Sequence, residues 1–457
     1  MFSPASTPCR AVDAGSGVAL PRFATVTTPS PRPVLLAALG VLALSSVLPD
    51  AVAAPDRRPA PAAVHADAQT RAFVDDASGR PANADADDPA IWVDRDHPSR
   101  SIVLGTLKEG GLAAFDLRAR TLQILPAPPA PSEEAAPGRY NNVDVVGDLA
   151  VVSDRGRDRI RVFRIDPRGA AAGARVLTEV TDGSAAPVFS ADEAAVEDQR
   201  TAYGLAAARD PRSGVRWVAV TRRHEAQVAL LALTHPGSDA VGTRRLDTLD
   251  LPDTFTLPDG SDWSPCEDPG EGPQLEGSVI DARRRVLYTA QEDVGIWRVP
   301  LTAGGFGRPR LIEKVTSFGV PATYDEQSEE CVVAGEDPGY GGRWLVADAE
   351  GLALAGRTLL ASSQGDSRFV LFGAHRTRDL RVVAGGGLDS VEHSDGSAIS
   401  TADLGPRYPH GLLVVHDGER TPAATDAEGE ELATTGFAFV PLQRVLRVLG
   451  TPAAARR

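Results

Sequence analysis

The chain runs to 457 residues, 42% hydrophobic and 24% charged, a balance that excludes a disordered or fibrous protein. Its formal net charge of −15 excludes the basic footprint that nucleic-acid binding requires. The length accommodates two or three ordinary domains or one large repeat array.

Residues 34–48, "VLLAALGVLALSSVL", form the long apolar run of the chain. The run is shorter than the ~20 residues of a membrane span. It follows Arg22 and Arg32 and leads to Ala51 and Ala53 in a small-x-small cleavage pattern, so residues 1–53 read as a secretory signal peptide. A retained membrane anchor is the alternative. Residues 54–70, rich in Ala and Pro, read as a disordered lead-in, and residues 71–450 as a single domain. Export implies a secreted or periplasmic protein with no membrane contact after cleavage. Cys266 and Cys331 are the cysteines that follow the leader, and an oxidising compartment permits their disulfide.

From residue 101 onward, pairs of strand-like runs recur around short polar tips. Successive tips centre on Lys108, Arg155, Arg223, Glu292, Gln364 and Asp417. Each pair follows a short acidic or polar lead-in: "DADDPAIWV" (85–93), "NNVDVV" (141–146), "AYGLAAA" (202–208), "QLEGSVI" (274–280), "ADAEGLAL" (347–354) and "HSDGSAI" (393–399). Residues 180–202 are the least strand-like and suit a short helix or loop. Six units of about 60 residues predict an all-β, six-bladed β-propeller of four-stranded blades. A parallel β-helix has much shorter repeats, and two β-sandwiches would not repeat six times.

Propeller topology places the lead-ins and the tips on one face, around the channel mouth. Asp87, Asp88, Asp144, Glu276, Glu292, Asp293, Asp348, Glu350, Asp389 and Asp395 then converge. So many carboxylates repel one another unless cations bind, and Ca²⁺ takes six to eight such oxygens. Lys108, Arg155, Arg222 and Arg223 face them, and arginine forks match phosphate. Carboxylate-held metal opposite cations suits phosphoryl transfer to water. A Gly-x-Ser-x-Gly elbow, a His-Glu-x-x-His zinc helix and a cysteine-phosphatase loop are all absent from the sequence.

Eight segments, "DADDPAIWVD", "NNVDV", "AYGL", "LEGSVID", "AQEDVGIW", "DAEGL", "LLASSQGDS" and "GPRYPHGLLVVHDGE", resemble the β-propeller phytases, from about residue 75 to about 447. The resemblance implies a secreted, calcium-dependent monomeric enzyme with several bound ions that hydrolyses myo-inositol hexakisphosphate. It implies that Glu276, Glu350 and Asp389 bridge metals with Asp87 and Asp348, and that Asp88, Pro89 and Val143 form a stabilising calcium site. Lys108, Arg155 and Tyr203 match phosphate-contacting residues, Arg223 keeps a cation at the third tip, and Glu292 matches a carboxylate that orients water or substrate. At that tip His224 stands where some members have glutamate, leaving Glu225 as a substitute. The loops carrying Cys266 and Cys331 are extra to the family pattern. Two alternatives stand beside this reading: a calcium-dependent propeller lactonase or organophosphatase, and a non-catalytic phosphate-binding propeller.

Overall fold

A computed structural model describes residues 58–74, 84–166, 168, 175–328, 330–426, 429 and 431–450. The predicted signal peptide lies outside the described residues. No helix among them is long and apolar enough to cross a membrane.

Among the described residues the chain forms six blade sheets in the order of the sequence, the first four of four antiparallel strands and the fifth and sixth of five, each running from an inner to an outer strand. The inner strands are Pro89–Trp92, Tyr140–Val146, Ala202–Arg209, Leu275–Asp281, Ala349–Ala355 and Ser397–Ser400. All six come from the predicted lead-ins. The next strands, Ile102–Thr106, Leu149–Asp154, Arg216–Arg222, Val286–Gln291, Thr358–Ser363 and Leu412–Asp417, end at the six predicted tips. The 180–202 segment holds a short helix, Glu193–Val196.

Blade stacking explains why these strands read as apolar runs rather than as half-polar alternation. Each sheet is covered on both faces by its neighbours, so Ile102–Thr106 is buried at every position. The two faces of one strand feed different cores: Ile102 and Leu104 pack with Tyr140 and Val152 of the second blade. Val103 packs instead with Phe437 and Phe439 of the sixth. Six such clusters, one per pair of neighbouring blades, close the ring.

The N-terminal segment closes that ring, against the disordered lead-in expected for 54–70. Ala62–Val64 pairs in parallel with Thr377–Val382 of the fifth blade, and Ala68–Gln69 pairs antiparallel with Thr434–Pro441 of the sixth. Phe73–Val74 continues along the same strand. The sixth blade takes its outer strand from the chain start, so small and apolar residues such as Val64, Ala68 and Phe73 find buried partners there.

The loops between the third, fourth and fifth blades carry two small additional hairpins, Phe255–Thr256 with Asp262–Trp263, and Ala322–Asp325 with Glu330–Val333. Cys331 therefore sits on a strand rather than in an irregular loop. Its sulfur is bonded to that of Cys266, with the Cα atoms 6.0 Å apart.

Candidate active site

The mouth is built by one local device repeated from blade to blade. In four inner strands the ladder register slips near the mouth: between Tyr140 and Val143, Ala202 and Leu205, Leu275 and Ser278, and Ala349 and Leu352. Such bulges re-aim a side chain. Each slip spans two residues, Asn141–Asn142, Tyr203–Gly204, Glu276–Gly277 and Glu350–Gly351, so in the last three a ring residue precedes a glycine.

Those glycines let adjacent blades touch backbone to backbone. A Cβ on Gly204 would lie 2.0 Å from the Glu276 carbonyl oxygen, one on Gly277 2.3 Å from that of Glu350, and one on Gly351 2.6 Å from that of Asp395. On Gly396 it would lie 2.7 Å from the Asp87 carbonyl oxygen. Each glycine is thus seated on the ring residue of the next blade, which links Tyr203, Glu276, Glu350, Asp395 and Asp87 around the channel. The hydroxyls of Thr106 and Ser153 fasten the Asn141 and Tyr203 carbonyls in turn.

Carboxylate oxygens of Glu276, Glu292 and Glu350 gather within 4.8 Å of one another. Asn141 Nδ2 donates to Glu276 Oε1 at 2.6 Å, and Gln274 Nε2 donates to Glu292 Oε2 at 3.0 Å. Burial, followed by the charge of Asp348, pushes the Glu292 carboxyl well above the usual range. Glu350 is raised the same way, by burial and then Glu276. Asp87 is pushed up to about 8, burial outweighing Lys108, whose ammonium stands 3.7 Å away. Asp395 runs the other way: His416, Lys108 and Gln364 overcome its burial and hold it low.

Asp87 Oδ1, Glu292 Oε1 and Glu350 Oε2 are buried without any hydrogen-bond partner. Leaving buried carboxylate oxygens bare is costly. Crowded, hard oxygen donors with free lone pairs fit a divalent cation such as calcium.

Cations line the other side. The Lys108 ammonium pairs with Asp85 as well as Asp87. Arg155 Nη1 donates to Asn141 Oδ1 at 2.8 Å, and its guanidinium lies 5.6 Å from the Tyr203 ring centre. Arg223 feels the charges of Arg155, Glu271 and Glu292. A continuous relay therefore runs from Arg155 through Asn141 to Glu276.

Not every predicted residue joins this cluster. Asp389 is placed elsewhere: its Oδ2 accepts from Thr421 N at 2.5 Å and from Thr421 Oγ1 at 2.7 Å, and Gln69 bonds its backbone. Asp395, in the sixth blade's ring position, stands where Asp389 was expected. Gln364 Nε2 donates to its Oδ1 at 2.6 Å, and its own N–H donates to His416 Nδ1 at 3.0 Å. Asp88, Pro89 and Val143 line a cavity of about 260 Å³ in the central channel, with inner-strand residues of all six blades. There Asp88 Oδ2 accepts from Val143 N at 3.0 Å. Glu225 pairs through one oxygen with Arg200 at 3.2 Å and through the other with Arg222 at 3.0 Å, so both its oxygens are engaged within the third blade rather than held free for metal or water. Asn141, Gln274 and His416 were not singled out from sequence, and Gln364 was marked only as the centre of a hairpin tip. The residue before glycine in "YG", "EG", "EG" and "DG" was the signal for the ring, Asp395 included.

A family profile described as Phytase matches residues 34–172 and 325–430, together more than half of the chain. The chain belongs to the phytase family. It is 25% identical over 386 residues to the 3-phytase of Bacillus subtilis (strain 168), an alignment covering 80% of this phytase and 81% of that protein. Among solved structures, this phytase is similar to a calcium-binding regucalcin of Agrobacterium tumefaciens (12% identity, 83% of this chain and 96% of that one, TM-score 0.41). It is also similar to a periplasmic gluconolactonase of Pseudomonas aeruginosa (17% identity, 64% and 70%, TM-score 0.37).

Proposed function

We propose that this phytase is an exported, calcium-dependent enzyme that hydrolyses the phosphomonoesters of myo-inositol hexakisphosphate, with water attacking phosphorus directly. The observation that carries the reading is the set of buried, partnerless carboxylate oxygens facing Lys108, Arg155 and Arg223 across one mouth. Glu276, Glu292 and Glu350, with Asp87, Asp348 and Asp395 beside them, would hold the ions. When bound, calcium supplies the positive charge that offsets these carboxylates and the anionic substrate, and a Lewis acid for water and phosphate oxygen.

The chain's own residues account for the rest. Lys108, Arg155 and Arg223 bind and orient phosphate oxygens, and their charges oppose the charge that develops as the ester bond breaks. Asn141 keeps the Glu276 carboxylate and the Arg155 guanidinium in fixed relation. Tyr203, buried beneath Arg155, holds that guanidinium against its ring face. Glu292, whose Oε1 is free, is placed to accept a proton from water or to orient it. The Cys266–Cys331 bridge supports an oxidising compartment. The cationic wall favours phosphate over the neutral ester of a lactone, and the buried, unpartnered carboxylates favour a metal-loaded enzyme over a metal-free phosphate-binding module.

Phosphate release from phytate, measured with calcium and with excess EGTA, tests this. Turnover should require calcium and return on its re-addition. Full turnover in EGTA would overturn the metal-dependent reading, and no turnover on phytate in any divalent cation would overturn the substrate.

A further inference from the structure

The third tip is clamped by the lead-in of the fourth blade. His224 follows Arg223 at the turn and lies in the left-handed region, at φ 58°. A residue with a side chain keeps that conformation only where its surroundings impose it. Here both backbone polar groups of His224 are captured by the next blade: Gly272 N donates to His224 O at 3.0 Å, and His224 N donates to Gln274 Oε1 at 3.0 Å. The His224 ring adds a third tie to the same segment, its Nδ1 lying 2.8 Å from Glu271 Oε2. Arg223 N donates to Thr201 O at 2.9 Å within its own blade, so the turn is held from both sides.

Gln274 is fixed just as firmly to the fourth tip. Its Nε2 donates to Glu292 Oε2 at 3.0 Å, and its carbonyl accepts from Glu292 N at 3.3 Å. The preceding carbonyl, of Pro273, accepts from the fully buried Gln291 at 2.9 Å. One carboxamide thus accepts from the third tip and donates to the fourth. An amide offers both roles at every pH, whereas an ionised carboxylate only accepts. With Oε2 occupied by Gln274, Glu292 is left with Oε1 buried and unpartnered, the oxygen on which its role toward water rests.

We propose that Gln274 is a positioning residue for the phosphatase reaction: its carboxamide locks the third tip, which carries Arg223, to Glu292 of the fourth. It acts through those two residues rather than on phosphate. The assignment rests on the reading of the mouth given above and adds to it a fixed link between one cation and one carboxylate.

Gln274→Met keeps the length of the side chain and removes both of its hydrogen-bonding ends. Hydrogen–deuterium exchange of the calcium-loaded protein reads the clamp without relying on activity: the His224 amide should exchange at least tenfold faster, while the first and second tips match wild type. On phytate in saturating calcium, the folded variant should show about tenfold lower kcat and a severalfold higher KM. Introduced into Arg223→Ala, the same substitution should still lower kcat but leave KM within twofold, because the tip it holds no longer carries the cation; independent effects would multiply instead. Gln227→Met, which removes an exposed carboxamide bonded to Asp250 in the same blade, should match wild type. If Gln274→Met does not fold, Gln274→Glu, which keeps the acceptor for His224 N but loses the donor to Glu292, should leave exchange at the tip unchanged and lower kcat. Kinetic constants within threefold of wild type in the folded Gln274 variant would overturn the positioning role, whatever the exchange. Multiplying KM losses in the Gln274→Met/Arg223→Ala variant would overturn the link to Arg223. A wild type that releases no phosphate from phytate would overturn the functional reading, and exchange at His224 would still decide whether the amide clamps the tip.

Discussion

Replacing Gly277 by alanine tests whether the mouth is set by backbone contact between blades. The new Cβ would lie 2.3 Å from the Glu350 carbonyl oxygen and 2.6 Å from its carbon, whereas ordinary contact begins near 3.4 Å. Neither atom belongs to a flexible side chain, so the two inner strands must separate by about 1 Å, in line with overpacking costs of ~1–3 kcal/mol. With an unfolding entropy of about 2 cal/mol/K per residue, that cost lowers Tm by only roughly 1–4 °C in a protein of this size. The site is more sensitive, because Glu276 precedes Gly277 and Glu350 is the residue displaced. A misplacement of ~1 Å at a catalytic constellation costs on the order of 100-fold in rate. Phosphate release from phytate in saturating calcium, with calorimetric melting of the same samples, measures both effects. Gly304→Ala, where a Cβ meets nothing within 4 Å, is the control. A Gly277→Ala enzyme within threefold of wild-type kcat would refute the claim that the glycine seat positions Glu350.

In EGTA, Asp87 and Glu267, raised to about 8, and Asp293, raised to about 7, keep protons that the unfolded chain releases near pH 4. The folded state then binds more protons, so their contribution is full below about pH 4 and is lost as pH rises through 7 to 8. The Tm gap between calcium-loaded and EGTA-treated protein should widen from pH 5 to pH 9, and a constant gap would contradict this. Asp395→Asn should lower kcat by orders of magnitude, whereas Asp389→Asn should mainly lower Tm by weakening the Thr421 bonds, at about 1 kcal/mol each. Equal kinetic losses in the two variants would show that the ring has been misread. Arg155→Ala should raise KM and also lower kcat, because Asn141, which holds Glu276, loses its Oδ1 partner. A pure KM effect would separate Arg155 from the relay.

The arrangement of strands was legible because it depends on local pattern. Strands buried on both faces need continuous apolar runs, as in Ile102–Thr106, and hairpin tips need polar residues, so six pairs announced six blades. Neighbouring blades also implied that the loops carrying Cys266 and Cys331 meet, and their sulfurs are bonded. The N-terminal closure was not legible. "AAV" and "AQ" are too short to signal strands, and they become strands only because the fifth and sixth blades offer unpaired edges.

The site divided along the same line. Sequence alone determined that carboxylates and cations would share one face, since lead-ins and tips alternate along the chain and propeller topology brings both to the mouth. Only the tertiary structure decided which carboxylates meet. Asp389 and Asp395 are six residues apart in one acidic stretch, and spacing does not distinguish them. Asp395 enters the ring because Gly351 seats on its carbonyl and Gly396 seats on that of Asp87. Asp389 leaves it because Gln69, from the other end of the chain, and Thr421 hold it at the ring closure. A residue's place in the mouth is set by the backbones of the blades beside it, which are remote in sequence.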